Sequence, residues 1–406
     1  MITGRRSRHD HVISVNAKVV RDINRSLILN FIRERQPISR ASIARLSKLN
    51  KSTVSSIVAG LLNEDLIVEE TAKTTAIGRT PINIRLKTGR HFFGAISFDA
   101  GMTRVAIVDI DGTIRHCSDT IADSDDPYEY VTRCTNALTT LRKRHHLPYL
   151  KGIGITVSGI VDPVHSKVVY APGLGWHDLD LGTMVIKQCP DVGVVAVEND
   201  AKASALAELW FGHHDINLSN FVFLSVGRGI GTGIVIDKRV LVGESNLAGE
   251  FGHMTLVDGG AQCSCGNLGC WEAYASDHAT IQRYLRAKEM DPEAGMQFTM
   301  NDIVTAARNG DSTAKRELLQ TGQYLGQGIA NIIKSVDPDA IIVGGLITCA
   351  WELVEPAIME GLKGRGFAGT LGHTTILPTS LSGRPSLLGA ATLPVRKIFT
   401  HVRVTL

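Results

Sequence analysis

The strongest constraint on the fold is an order of elements that the chain runs through twice, beginning at His91. Phe92–Phe98, Val105–Asp109 and Thr113–Thr120 read as three strands, with turns at Ala100-Gly101 and Asp111-Gly112. A helix over Pro127–His146, a strand at Gly152–Val157, a strand at Val194–Glu198 and a helix at Ala201–Phe211 follow. The order then returns: strands at Phe221–Val226, Ile230–Ile236 and Arg239–Val242, helices around Asn301–Ala307 and Ala314–Ser335, a strand at Ala340–Val343, and a last helix near Leu387–Lys397. Two β-β-β-α-β-α halves predict a two-lobed α/β body, and clefts between lobes are where small ligands bind.

The chain before His91 has a different character. Residues 1–90 carry 17 Lys/Arg against 7 Asp/Glu, whereas the remainder carries 26 against 33, so a basic head precedes an acidic body. That asymmetry points to a polyanionic partner for the head alone, although a merely solvated basic face fits the same count. At 406 residues with 44% hydrophobic content, the chain has material for several domains, and its composition argues against rods, collagen or wholesale disorder. No apolar run approaches the ~20 residues of a membrane span, and the basic N-terminus has no apolar core of a signal peptide. A soluble cytoplasmic protein with no membrane partner is expected.

Within the head, Val19, Val20, Ile23, Leu27, Ile28, Phe31 and Ile32 recur at helical spacing from Asn16 to Arg35, where Gln36-Pro37 ends the pattern. Ser39 can cap a short helix that turns Ile43, Ala44 and Leu46 inward. Asn50 can cap a third, Lys51 to about Asn63, with Val54, Ile57, Val58, Leu61 and Leu62 on one face. Its start offers Lys51, Ser52, Thr53, Ser55 and Ser56, short hydrogen-bonding groups and a cation suited to base edges and phosphates, with Arg40 as a further contact. β-prone segments at Leu66–Glu70 and Ile82–Leu86 complete a winged helix-turn-helix pattern. A small helical bundle that binds protein is the alternative. Between those segments, Gly78-Arg79-Thr80-Pro81 is extended and could direct Arg79 into a minor groove, or it could be a plain turn.

Two clusters in the body carry chemistry. Gly227-Arg228-Gly229-Ile230-Gly231-Thr232-Gly233 joins two strands and could wrap phosphate with backbone amides, but it lacks the Gly-Lys-Ser/Thr ending of a P-loop. His253, Cys263, Cys265 and Cys270 form a Cys₃His set within 18 residues, the donor set of a closed structural zinc site. Clustered cytosolic cysteines read as metal ligands in preference to disulfides. Cys117, Cys134, Cys189 and Cys349 read as core thiols. Asn199-Asp200, Glu250 and Glu272 could accept from sugar hydroxyls, although Asp200 alone reads as well as a helix cap.

The run Gly229-Ile230-Gly231-Thr232-Gly233 with Gly243, Gly249 and Gly252-His253, followed by Cys263-x-Cys265-Gly266-x-x-Gly269-Cys270-x-Glu272, resembles the ROK family of sugar kinases and sugar-responsive repressors. With the helix-turn-helix in front, the likeness is to the repressor branch, and Cys270-Trp271-Glu272 is similar to the xylose repressors within it. It covers about residues 16–397. It implies an actin-like ATPase (ribonuclease H-like) fold behind the head: a flexible segment 1–15, a winged helix-turn-helix over 16–88, a first lobe over 89–215 and a second over 216–406. The last helix would pack back on the first lobe. It also implies sugar contacts at Ser158, Gly159, Asn199, Asp200, Glu250, His253 and Glu272, with zinc bracing them through His253.

In the kinase branch the residue matching Asp200 is the general base. The first phosphate motif survives in part as Asp99-x-Gly101-x-Thr103. Arg228 stands where kinases carry threonine, beside Gly229, Gly231 and Gly233, which counts against ATP and Mg²⁺ as cofactors without excluding them. The implied protein is a repressor of carbohydrate uptake or catabolism genes. It would be a homodimer or homotetramer on operator double-stranded DNA, released by a sugar or sugar phosphate. A sugar kinase with an added DNA-binding head, and a repressor relieved by another protein, are the alternatives.

Overall fold

The computed structural model describes residues 17–71, 82–216, 218–291, 298–366, 372–381 and 384–400. They form two compact units, one from the chain up to His91 together with the chain from Val395, the other from Phe92–Pro394.

The first unit holds α1 (Ala17–Arg35), β1 (Ile38–Ser39), α2 (Arg40–Ser47), α3 (Lys51–Asn63), β2 (Ile67–Thr71) and β3 (Ile82–Leu86). Ser39 and Asn50 cap α2 and α3, accepting from Ser42 N and Thr53 N, so both helices start where a short polar side chain can satisfy a first-turn amide. The three helices close over Ile28, Leu29, Ile32, Ile43, Val54, Val58 and Leu61. Strands β2 and β3 pair antiparallel, with β1 on the other edge of β3. The buried face of α1 differs from the expected one: Val20, Ile23 and Leu27 are exposed and Leu29 is buried, because a unit this small covers only one edge of a broad apolar stripe. Leu46, expected inward, is also exposed.

The second unit begins with β4 (Phe92–Phe98), β5 (Arg104–Asp109), β6 (Ile114–Cys117), α4 (Pro127–Arg144) and β7 (Ile153–Val157). A small antiparallel sheet follows, made of β8 (Ile160–Asp162), β9 (Lys167–Ala171) and β10 (Trp176–Leu179), then α5 (Leu181–Gln188), β11 (Val195–Asn199) and α6 (Asp200–Phe211). Its second half holds β12 (Phe221–Val226), β13 (Ile230–Ile236), β14 (Arg239–Val240), α7 (Glu272–Ala275), α8 (Asp277–Ala287), α9 (Met300–Arg308), α10 (Ser312–Val336), β15 (Ala340–Gly344), α11 (Trp351–Leu362), β16 (Thr375–Pro378) and the part of α12 (Pro385–Phe399) that precedes Val395.

The two five-stranded sheets repeat one design. Their orders, β6-β5-β4-β7-β11 and β14-β13-β12-β15-β16, each combine a three-stranded antiparallel meander with two parallel strands beyond its first member. The central strands β4, β7, β12 and β15 are buried almost throughout, as parallel strands covered on both faces must be. One face of the first sheet packs on α4 through Phe98, Tyr130 and Trp176, whose rings meet edge to face. The other packs on Leu387, Leu388, Ala390 and Ala391 of α12. The second sheet packs on α10 and α11 through Leu325, Ile329, Val354 and Ile358.

Candidate functional site

The strand ends of the two halves bring together residues far apart in sequence. At the end of β11, Asn199 caps α6, its Oδ1 accepting from Ala201 N and Lys202 N at 3.0 Å each, while its Nδ2 donates to Gly159 O at 3.0 Å. The cap is thus Asn199, while Asp200, the first residue of α6, accepts from Ala201 N through Oδ1 at 2.9 Å. Ser158 Oγ donates to Asp200 Oδ2 at 2.7 Å, so Ser158, Gly159, Asn199 and Asp200 form one hydrogen-bonded cluster. Burial pushes the Asp200 carboxyl above its usual range against the hydrogen bonds from Ser158 and Ala201, and Glu250 adds to the rise. Burial also raises Glu250, opposed by His253 and Lys202.

His253 ends a short 3₁₀ turn, Phe251–His253, directly after Glu250. Its ligand atom and the sulfurs of Cys263, Cys265 and Cys270 all lie within 4.8 Å of one another. Cys263 Sγ is 3.7 Å from His253 Nδ1, and Cys265 Sγ is 3.7 Å from Cys270 Sγ. Tetrahedral zinc with Zn–S of about 2.3 Å requires S···S edges of about 3.8 Å. The residues therefore fit the ion, with no position left for substrate. Cys117 and Cys349 are exposed and Cys189 half-buried, so of the four expected core thiols only Cys134 is buried.

Glu272 joins this knuckle to the glycine hairpin. Its Oε1 faces Cys263 Sγ at 3.6 Å and accepts from Ser264 Oγ at 3.3 Å, while Oε2 accepts from Ile230 N at 2.9 Å. A Cβ on Gly229 would lie 2.3 Å from Glu272 Oε2, and one on Gly233 would lie 2.6 Å from Ala201 O. Close approach of Glu272 and α6 is thus what those two glycines permit. A Cβ on Gly231 would meet that of Ala201 at 2.8 Å.

In the first loop, Thr103 Oγ1 accepts from Asp99 N at 3.1 Å and from Tyr130 OH at 2.7 Å, and Gly101 N donates to Asp123 Oδ2 at 2.7 Å. Burial and then Asp200 push the Asp99 carboxyl up to about 6, against Arg384 and Arg228. Burial, with Asp99 adding to it, pushes Asp277 up to about 7.

Sequence reasoning missed two side chains here. Lys202 is only 3% exposed, and its Nζ donates to Asn246 O at 2.6 Å, in the loop that leads to Glu250. Its one signal is a charge set in the apolar run Ala201–Leu206. Asp277 follows the cap Ser276 at the start of α8, a common helix opening that conceals its position beside the glycine hairpin.

On the head, Lys51, Ser52 and Ser56 are exposed at the start of α3, with Thr53 and Ser55 half-buried beside them. Arg40 is ion-paired to Glu69 at 2.8 Å. Arg79 lies outside the described residues.

Two halves of one strand order define the actin-like ATPase fold, here preceded by a helix-turn-helix. The ROK family model matches residues 95–397, and the chain belongs to the ROK family. The xylose repressor of Bacillus spizizenii is 31% identical over 399 residues, covering 95% of this chain and 98% of the repressor. The crystal structure of a ROK family transcriptional regulator, a homologue of the E. coli MLC protein, superimposes with a TM-score of 0.77 at 26% identity, covering 94% of this chain and 97% of its own. A ROK family glucokinase from Streptomyces griseus, solved with glucose and AMPPNP, gives 0.67 at 28% identity, covering 74% of this chain and 98% of the kinase.

Proposed function

We propose that this chain is a sugar-responsive DNA-binding repressor of carbohydrate uptake or catabolism genes, released from its operator by a sugar bound between the two halves of the body. The observation that carries the reading is the exposed Lys51, Ser52 and Ser56 in the first two turns of α3, on a helix-turn-helix unit attached to a sugar-kinase-like body. The glucokinase is matched over 98% of its length by only 74% of this chain, so it offers no counterpart for about a quarter of it, whereas the repressor matches nearly end to end.

Ser158, Gly159, Asn199, Asp200, Glu250, His253 and Glu272 are the proposed sugar contacts. Asp200 and Glu250 are the acceptors for hydroxyls, since the side chain of Asn199 is committed to its cap and to Gly159. His253, Cys263, Cys265 and Cys270 would hold a structural zinc, which supplies a rigid fourfold crosslink beneath Glu250 and Glu272. Lys51, Ser52, Thr53, Ser55, Ser56, Arg40 and Arg79 are the proposed DNA contacts. A cytoplasmic dimer or tetramer would place two α3 helices in major grooves about 34 Å apart. The sugar must bind the released state more tightly, by about 1.4 kcal/mol for each tenfold loss of DNA affinity.

Residual sugar kinase activity is the second reading, and the observation in its favour is Asp200, held by Ser158 with its carboxyl raised by burial. Fluorescence anisotropy on DNA from upstream of the chain's own gene, titrated with pentoses, hexoses and their phosphates, tests the proposal. Tight binding released by one sugar is expected. Absence of binding, together with sugar-dependent ATP turnover in the same preparation, would transfer the assignment to a kinase.

A further inference from the structure

The loops expected to cradle phosphate are already supplied with anions by the chain itself. Gly101 N, in the first, donates to the carboxylate of Asp123. In the second, Gly227 N is closed on Gly229 O at 3.0 Å, and Ile230 N on the carboxylate of Glu272. A third carboxylate stands against the same hairpin. The amide of Asp277 donates to Gly227 O at 2.8 Å, which fixes Asp277, at the first position of α8, directly beside the loop.

Asp277 Oδ1 is buried and has no hydrogen-bond partner among the described residues. A buried carboxylate oxygen without a donor is costly, and its retention calls for a reason other than stability. The first turn of a helix attracts anions, through its unpaired amides and its dipole. At α8 that anion is part of the chain. The charge acting on Asp277 is a further carboxylate, Asp99, while Arg228 is exposed and acts on Asp99 and His278.

We propose that Asp277 excludes phosphate from the glycine hairpin, so that this body binds its sugar without a nucleotide. Arg228 is then a secondary feature, and restoring threonine there does not by itself open the site. The inference rests on the reading of the body as a sugar-binding module that has lost phosphoryl transfer, and it names the residue that keeps the nucleotide side closed.

The test uses full-length wild type, Asp277→Gly and Asp277→Asn, titrated calorimetrically with AMPPNP and Mg²⁺ at pH 8.5, above the ranges in which Asp99 and Asp277 titrate. The expected result is no detectable binding to wild type and at least a tenfold gain in Asp277→Gly. Asp277→Asn, which removes charge but keeps volume and guards against a folding defect in the glycine variant, is expected to show part of that gain. Equal AMPPNP affinity in wild type and both variants, or no binding to either variant at an unchanged thermal midpoint, overturns the proposal. Sugar-dependent release from DNA is measured on the same preparations. Loss of that response in wild type would sink the repressor reading, while the AMPPNP comparison would still decide the role of Asp277.

Discussion

Glu272 Oε2 accepts the amide of Ile230 at 2.9 Å, across 42 residues of sequence, and the same carboxylate reaches Cys263 and Ser264 through its other oxygen. One side chain thereby links the Cys₃His knuckle to the glycine hairpin, and any displacement of the knuckle is felt at β13. Replacing it by alanine leaves a half-buried amide and a hydroxyl without their acceptor, at a cost of about 1–3 kcal/mol. Glu272→Ala is expected to lower the midpoint of thermal unfolding and to weaken sugar binding about tenfold, whereas Glu272→Gln keeps one acceptor oxygen and retains most of the stability. Calorimetric melting with sugar titration reads both quantities, and an unchanged midpoint in Glu272→Ala would show that the link contributes no stability.

The knuckle itself makes a prediction about metal. Burial raises the thiols of Cys263 and Cys270, which disfavours the thiolates, and a bound cation would offset that penalty by stabilising them. Wild type is expected to carry one equivalent of zinc, and Cys265→Ser to lose it together with sugar affinity. Elemental analysis of purified protein reads the first and calorimetry the second. A Cys265→Ser protein that kept both would separate the cluster from zinc.

Much of the architecture was legible in residue spacing. The seven consecutive buried residues of β4 and the capped start of α3 at Asn50 announce themselves locally. The short strands β8–β10 did not, because three to five residues of mixed polarity hold no period long enough to register. Helix α11 was hidden by Pro356 in its middle, which reads as punctuation. At the candidate site, the four members of the Cys₃His cluster lie close in sequence and were readable as a set. Lys202 near Asn246, and Asp277 beside Gly227, depend on contacts between segments about 40 to 50 residues apart, which no local pattern encodes.

Lys202 sits in the first turn of α6, where the helix dipole disfavours a cation, and burial holds its ammonium below its usual range against the pull of Glu198 and Glu250. Its bond to Asn246 O compensates by fixing the loop that delivers Glu250. Lys202→Met keeps the apolar stem and removes the donor. Sugar affinity is expected to fall about tenfold, near 1.4 kcal/mol, with little change in DNA affinity in the absence of sugar. Equal sugar affinity in the variant would relieve Lys202 of this positioning role.

Asp277 also gives the body a pH dependence with a defined sign. Its folded pKa, raised to about 7 by burial and Asp99, lies above that of the unfolded chain, so the folded state binds more protons between those values. The carboxyl therefore costs stability increasingly as pH rises from about 4 to about 7, and the cost persists above that range. Asp277→Asn is expected to raise the thermal midpoint at pH 8 by more than it does at pH 4. A shift of equal size at both values would remove ionisation as its cause.

The head offers a prediction that separates its two nearest cations. Lys51 is exposed at the first position of α3, whereas the guanidinium of Arg40 is ion-paired to Glu69 at 2.8 Å. A lysine that neutralises a phosphate releases a counterion on binding, so its removal weakens affinity and lowers the salt dependence by about one unit of slope. An arginine already paired within the protein releases less, because the carboxylate competes for it. Lys51→Ala is therefore expected to weaken operator and random DNA alike and to flatten the salt plot, with a smaller change for Arg40→Ala. Ser52 points to a different outcome: its hydroxyl donates to Asn50 Oδ1 at 2.8 Å, so Ser52→Ala also removes a local bond at the helix cap. Anisotropy titrations at several salt concentrations distinguish these cases, and equal slopes for wild type and Lys51→Ala would place the DNA-contacting surface elsewhere on the head.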